Sequence, residues 1–191
     1  FVNPVEIHYK NSFAPLKIGH FLADYLDDNS AIVCIGTDKC IIDSLGPLIG
    51  TMLRKENLSV DIYGTLDEPV HAMNITEYIE LIKSKNYSNI LAIDACLSTR
   101  KNQGIVEVRN GPITPGKGIG KLLPEIGNVS IIGIVDSSEK EFQSLIHDTR
   151  LSFIYEMSEV ITHGIMTALS INDLLDEGFV REDFAPTASQ A

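Results

Sequence analysis

Ala31-Ile-Val-Cys-Ile-Gly36 and Ile90-Leu-Ala-Ile-Asp94 are short apolar runs, and each brings an aspartate to or just beyond its carboxyl end: Asp43 after the first, Asp94 closing the second. Runs of this length and composition read as strands buried on both faces, as in a parallel sheet covered by helices. Ligands of such sheets bind in the crevice beyond the carboxyl ends of the strands, where the strand order reverses. Two carboxylates meeting there can share a proton or hold a metal ion. Each aspartate alone also has a plainer reading, as the N-cap of a following helix.

Working outward, Ser12 is placed to cap a helix over 13–27, with Phe13, Leu16, Phe21, Leu22 and Leu26 as its apolar face. A loop over 37–42 leads into a helix over 44–56, and Val60 to Tyr63 reads as a second strand. Asn74-Ile-Thr-Glu77 fits a capping box that opens a helix to about Lys85, followed by the strand over 89–95. This β-α-β-α-β order predicts a parallel sheet with helices on both faces. Ile105-Val-Glu-Val108 then alternates like a half-buried strand, and its short link from Ala95 allows an antiparallel placement. Val129 to Val135 reads as a fifth strand. A helix over 149–168 offers Leu151, Ile154, Tyr155, Val160, Ile161 and Ile165 to the core. No internal repeat or linker divides the chain, so residues 1–178 are expected to form one domain and 179–191 a disordered tail.

At 191 residues, with 44% hydrophobic and 21% charged residues, the chain can bury a sizeable core. A formal net charge of −11 disfavours binding to nucleic acid or an anionic membrane, since both fields repel it. No signal-peptide pattern is read in these residues, and no apolar run has membrane-spanning length, so neither a leader nor a membrane span is expected. Cys34, Cys40 and Cys96 lack zinc-knuckle spacing, and Cys34 and Cys96 read as small buried hydrophobes in a reducing cytoplasm.

Other chemistries compete for attention. Asp38 is a third carboxylate in the first loop, or a turn residue; Asp136 rims the same crevice or caps the next segment of chain. In Gly111-Pro-Ile-Thr-Pro-Gly-Lys-Gly-Ile-Gly120, the residues Gly111, Gly116 and Lys117 match phosphate-loop spacing. Gly118 stands where a magnesium-binding hydroxyl belongs, and the two prolines remove amide donors. Lys121 replaces the third glycine of a dinucleotide fingerprint. The better reading is a glycine-rich loop near the crevice whose amides around Gly116, Lys117 and Gly118 contact substrate. A Cys40/His71 nucleophile pair is a further alternative, whereas His8, His20, His147 and His163 show no metal-ligand spacing.

Three blocks in order, Cys34-Ile-Gly-Thr-Asp-Lys-Cys-Ile-Ile-Asp-Ser-Leu-Gly-Pro47, Ile90-Leu-Ala-Ile-Asp-Ala95 and the 111–120 loop, resemble the YyaC-type sporulation proteins of spore-forming Firmicutes over about residues 10–170. Through the same blocks the chain is similar, more distantly, to the germination protease that degrades small acid-soluble spore proteins. Further off are the endopeptidases that mature nickel-iron hydrogenases. The resemblance implies an α/β protein with a three-layer α/β/α fold of the hydrogenase-maturation-protease kind, its mixed five-stranded sheet having an antiparallel fourth strand. It assigns the essential aspartates to Asp43, in Asp-Ser-Leu-Gly-Pro, and Asp94, in Ala-Ile-Asp-Ala. The histidine that helps the hydrogenase endopeptidases bind nickel has no counterpart after Asp94, where Cys-Leu-Ser-Thr-Arg follows.

Together these readings give a sporulation or germination peptidase using an Asp43/Asp94 dyad, with Asp38 and the 111–120 loop beside its substrate. The competing class is an inactive protease-like regulator that binds a peptide or protein. No cofactor is expected; a divalent metal on Asp43, Asp94 and His71 is the remaining alternative. The expected partners are a peptide or spore protein, without nucleic acid or membrane, and a homo-oligomer is compatible with the sequence. The expected location is the cytoplasm of the mother cell or forespore.

Overall fold

The computed structural model describes residues 4–56, 58–116, 123–139 and 148–172. Six strands, β1 (Val5–His8), β2 (Ser30–Cys34), β3 (Asp61–Tyr63), β4 (Asn89–Ser98), β5 (Ile105–Asn110) and β6 (Val129–Ser137), form one mixed sheet in the order β1-β5-β6-β4-β2-β3. The parallel part is β3-β2-β4-β6, and β5 runs antiparallel to β6, as expected for the strand over 105–108. The sheet has six strands rather than five because Val5-Glu-Ile-His8 adds an edge strand antiparallel to β5. Its alternation of apolar and polar residues is the period of a half-buried strand, though four residues carry little of that signal alone.

Among the described residues four helices pack on the sheet: α1 (Ala14–Ala23), α2 (Leu45–Arg54), α3 (Ile75–Ser84) and α4 (Leu151–Ile171). On one face α1, α2 and α4 bury Ile18, Ile49 and Ile161 against Ile32, Leu91, Ile93 and Ile131. On the other, Ile75, Ile79 and Ile82 of α3 lie over Val33, Ile35 and Ala92. Alternate residues of β2 and β4 therefore serve opposite cores, which explains why both strands are apolar nearly throughout.

The helical faces differ from expectation. In α1 the buried residues are Ala14, Ile18, Gly19, Phe21 and Leu22, while Phe13 and Leu16 are exposed. Pro15 sets the first turn, and from there the 3.6-residue period selects positions 14, 18, 21 and 22. Ser12 does not cap this helix; the Asn11 side chain instead accepts the Phe13 amide at 2.9 Å. In α4 Leu151 and Tyr155 are exposed, and the core takes Met157, Ala168 and Leu169 besides Ile154, Ile161 and Ile165. The Asn74 capping box does not form either: Asn74 accepts the His71 amide at 2.8 Å and donates to the Pro69 carbonyl at 2.9 Å. That side chain instead holds the stretch of chain before α3, on which His71 sits.

Candidate active site

The last β2–β4 pair is Cys34 with Ile93, so Asp94 is the first β4 residue beyond the end of β2. From β2 the chain passes through α2 to β3 on one side, while β6 flanks β4 on the other. The crevice between β2 and β4 is thus the place where the strand order reverses. Beyond Cys34 the chain turns away at Gly36, whose amide donates to the Val70 carbonyl at 2.8 Å. It returns through a 3₁₀ turn over Ile41–Asp43 that packs against β4. Gly36 has φ +138°, and a Cβ there would overlap the Asp43 carbonyl oxygen. A Cβ on Gly46 would likewise overlap the Ile35 carbonyl. The glycines on either side of Asp43 therefore let the turn and the start of α2 close onto the end of β2.

Asp43 and Asp94 are both partly buried. Burial pushes the Asp43 carboxyl up to about 6, against the opposing pull of His71 and the Thr37 amide. Asp94 is pushed up to about 8, first by burial and then by the negative charge of Asp43, while the Ala95 amide, donating at 2.8 Å, acts against the shift. The two carboxyls titrate as a coupled pair, because the charge on one opposes ionisation of the other. Asp94 is raised the more strongly of the two, which makes it the better place for a shared proton.

The other candidate residues are placed less uniformly. Asp38 is exposed in the loop before the 3₁₀ turn. His71 is half-buried, and its Nδ1 accepts the Met73 amide at 3.2 Å. Cys40 and His71 share no hydrogen bond among the described residues. Among those residues no group of three or more His, Cys, Asp or Glu side chains could hold a metal ion. Asp43, Asp94 and His71 therefore do not form a ready three-ligand set. Asp136 is fully buried, accepting the Thr149 hydroxyl at 2.8 Å and the Ser137 amide at 2.7 Å. It ties the end of β6 to the approach to α4. His8, His20 and His163 are exposed, and His147 lies outside the described residues.

The glycine-rich loop leaves β5 at Asn110, opposite Val129 at the start of β6. Its base is therefore at the amino-terminal edge of the parallel strands, while Asp94 lies beyond the carboxyl end of β2. Ile113 and Ile126 exchange hydrogen bonds at 2.9 and 3.0 Å and join the apolar cluster beneath α3. Gly116 is half-buried, and Lys117 and Gly118 lie outside the described residues.

Strand register adds residues that sequence alone did not select. Asp94 pairs with Ile132, which pairs with Glu107, so the three form a row on the α3 side of the sheet. Cys96, two residues after Asp94, lies on the same face. Burial raises its thiol to about 11, helped by Glu107 and Asp94 and opposed by Arg109. The alternation of Ile105-Val-Glu-Val108 turns Glu107 away from Val106 and Val108, but only the register brings it to the row of Asp94. Cys34 is fully buried in the opposite core and its thiol is raised far above the ordinary value by burial.

No solved structure gives a significant match. The protein named "Uncharacterized protein YyaC" of Bacillus subtilis (strain 168) is 40% identical over 136 residues, covering 70% of this chain and 66% of that protein. The chain therefore spans just under two thirds of the length of that relative. A family model matches residues 6–164, a span that takes in the sheet almost entirely and both aspartates of the crevice. On that match the chain belongs to the family described as "Protein of unknown function (DUF1256)".

Proposed function

We propose that this protein is a peptidase of the aspartic type acting in sporulation or germination, with Asp43 as general base and Asp94 as the proton-bearing partner. The observation that carries this reading is the pair of raised carboxyls, about 6 and about 8, at the reversal point of the sheet. Between those values Asp43 is ionised and Asp94 protonated. Asp43 then takes a proton from water as the water attacks the scissile carbonyl, and Asp94 donates a hydrogen bond to the carbonyl oxygen. One Asp94 oxygen accepts the Ala95 amide, which orients the carboxyl. The role in spore formation rests on the sequence blocks shared with YyaC-type proteins. The hydrogenase-maturation-protease architecture and the kinship with the germination protease belong to the same proposal; helices on both faces and an antiparallel β5 support them.

The second reading is a regulator that binds a peptide or spore protein in the same crevice without cutting it. It is favoured by the lack of a three-ligand set among the described residues, which leaves the two carboxyls to carry hydrolysis alone. The deciding experiment is cleavage of spore proteins and a peptide library by the wild type, Asp43→Asn and Asp94→Asn. Cleavage that both substitutions abolish supports the peptidase. Full activity in both excludes the dyad. A stable partner of unaltered mass recovered from sporulating cells, without cleavage, supports the regulator.

A further inference from the structure

Ser130 is fully buried, and its hydroxyl has no hydrogen-bond partner among the described residues. A buried hydroxyl without a partner costs stability, and its presence calls for a specific explanation such as a bound water or a role in a site. Its position supplies one. Ser130 pairs with Ala92, and the next alternate pair along the two strands is Ile132 with Asp94. Paired side chains share a sheet face, so Ser130, Ala92, Asp94 and Ile132 all point to the α3 side. Ser130 and Asp94 are diagonal neighbours there, with Cα atoms about 7–8 Å apart by ordinary sheet geometry. Ala92, opposite Ser130 on β4, and Ile132, opposite Asp94 on β6, are the other two corners of this set, and neither carries a polar group. Asp94 uses one carboxyl oxygen for the Ala95 amide, at 2.8 Å.

We propose that Ser130 is a positioning residue of the site, its hydroxyl holding the Asp94 carboxyl through one bridging water. A bridging water needs at least two polar partners, and this diagonal offers a hydroxyl and a carboxyl oxygen. The bridge fixes the rotamer of Asp94 and supplies polar stabilisation to its ionised form. The titratable and charged neighbours are Asp43 across the crevice, Cys96 two residues on along the same face of β4, Glu107 beyond Ile132, and Arg109 opposite Ser130 on β5. The inference rests on Asp94 belonging to the proposed site, but its test does not require catalysis.

The test is side-chain carbon NMR titration of the aspartates in the full chain, with the Asp94 signal assigned by its loss in Asp94→Asn. Ser130→Ala should raise the Asp94 midpoint by about half a pH unit or more, because the ionised form loses polar stabilisation. Ser130→Thr, which keeps the hydroxyl, should return it to the wild-type value. Asp43→Asn should lower the midpoint and shows that the signal reports the pair. An unchanged midpoint in Ser130→Ala overturns the proposal and leaves Ser130 a packing residue, whatever the melting temperature. A rise that Ser130→Thr does not correct overturns it too, since the hydroxyl is then not the cause. Peptide cleavage by the same samples separates the two readings: a shifted midpoint in protein that cuts nothing keeps the role of Ser130 and removes the peptidase.

Discussion

Gly36 and Asp43 meet backbone to backbone: the space where a Gly36 Cβ would stand is occupied by the Asp43 carbonyl oxygen, which also accepts the Thr37 amide at 2.9 Å. Gly36→Ala should therefore displace the 3₁₀ turn and Asp43 with it, costing about 1–3 kcal/mol of stability and most of any peptide cleavage. Gly111→Ala is the control. Gly111 has φ +119° but nothing within 4 Å of a Cβ, so it bears the dihedral strain without the overlap. Denaturant melts of both variants should show the larger loss at Gly36.

For the proposed peptidase, the carboxyl pair predicts a bell-shaped pH dependence of cleavage. The acid limb follows ionisation of Asp43, raised to about 6, and the alkaline limb follows loss of the proton from Asp94, raised to about 8. Activity should peak near neutrality, between these values. His71 pulls Asp43 downward, so His71→Gln should move the acid limb to higher pH and leave the alkaline limb nearly in place. Initial rates across the acid, neutral and alkaline ranges would check both limbs.

Stability should carry the same signature. A carboxyl whose folded pKa exceeds its unfolded value near 4 binds protons more tightly in the native state. Its stabilising contribution is complete below about pH 4 and is lost as pH rises through about 6 for Asp43 and about 8 for Asp94. Asp94→Asn cannot ionise, so it should flatten this decline and exceed the wild type by ~2 kcal/mol or more at about pH 9. Urea midpoints of the two proteins across the range would measure the difference.

Thr149 donates to the carboxylate of Asp136 at 2.8 Å, and both residues are buried. Thr149→Val keeps the shape and removes the donor, which should cost about 1–3 kcal/mol. Because this bond anchors α4 to β6 rather than shaping the crevice, the pH limits of cleavage should not move. A variant that lost stability and also shifted those limits would show that Asp136 acts within the site.

The framework of the sheet was legible because strands β2 and β4 are apolar through most of their length, a pattern that burial on both faces imposes locally. Asp43 was legible as a carboxylate beyond an apolar run, flanked by Gly36 and Gly46. Asp94 was expected to close its strand, but β4 runs on to Ser98 because β6 continues to pair with it, and Asp94 lies only beyond the end of β2. The edge strand β1 was missed, since four alternating residues become a strand only when β5 supplies the partner. The helix caps assigned to Ser12 and Asn74 failed because a side chain able to cap is free to bond elsewhere, as Asn74 does with Pro69 and His71.

By itself, then, the sequence determined the α/β alternation, the parallel core and the apolar runs that lead to Asp43 and Asp94, all of which come from the chemistry of neighbouring residues. The tertiary structure decided what depends on distant segments meeting. The register of β4 on β6 and of β6 on β5 set Ile132 opposite Asp94, Ser130 diagonal to it and Glu107 beyond Ile132. The packing of the 3₁₀ turn against β4 brought the charge of Asp43 onto Asp94, and burial there raised both carboxyls. A sequence reports which groups can ionise; only the fold sets how much water and how much like charge each of them faces.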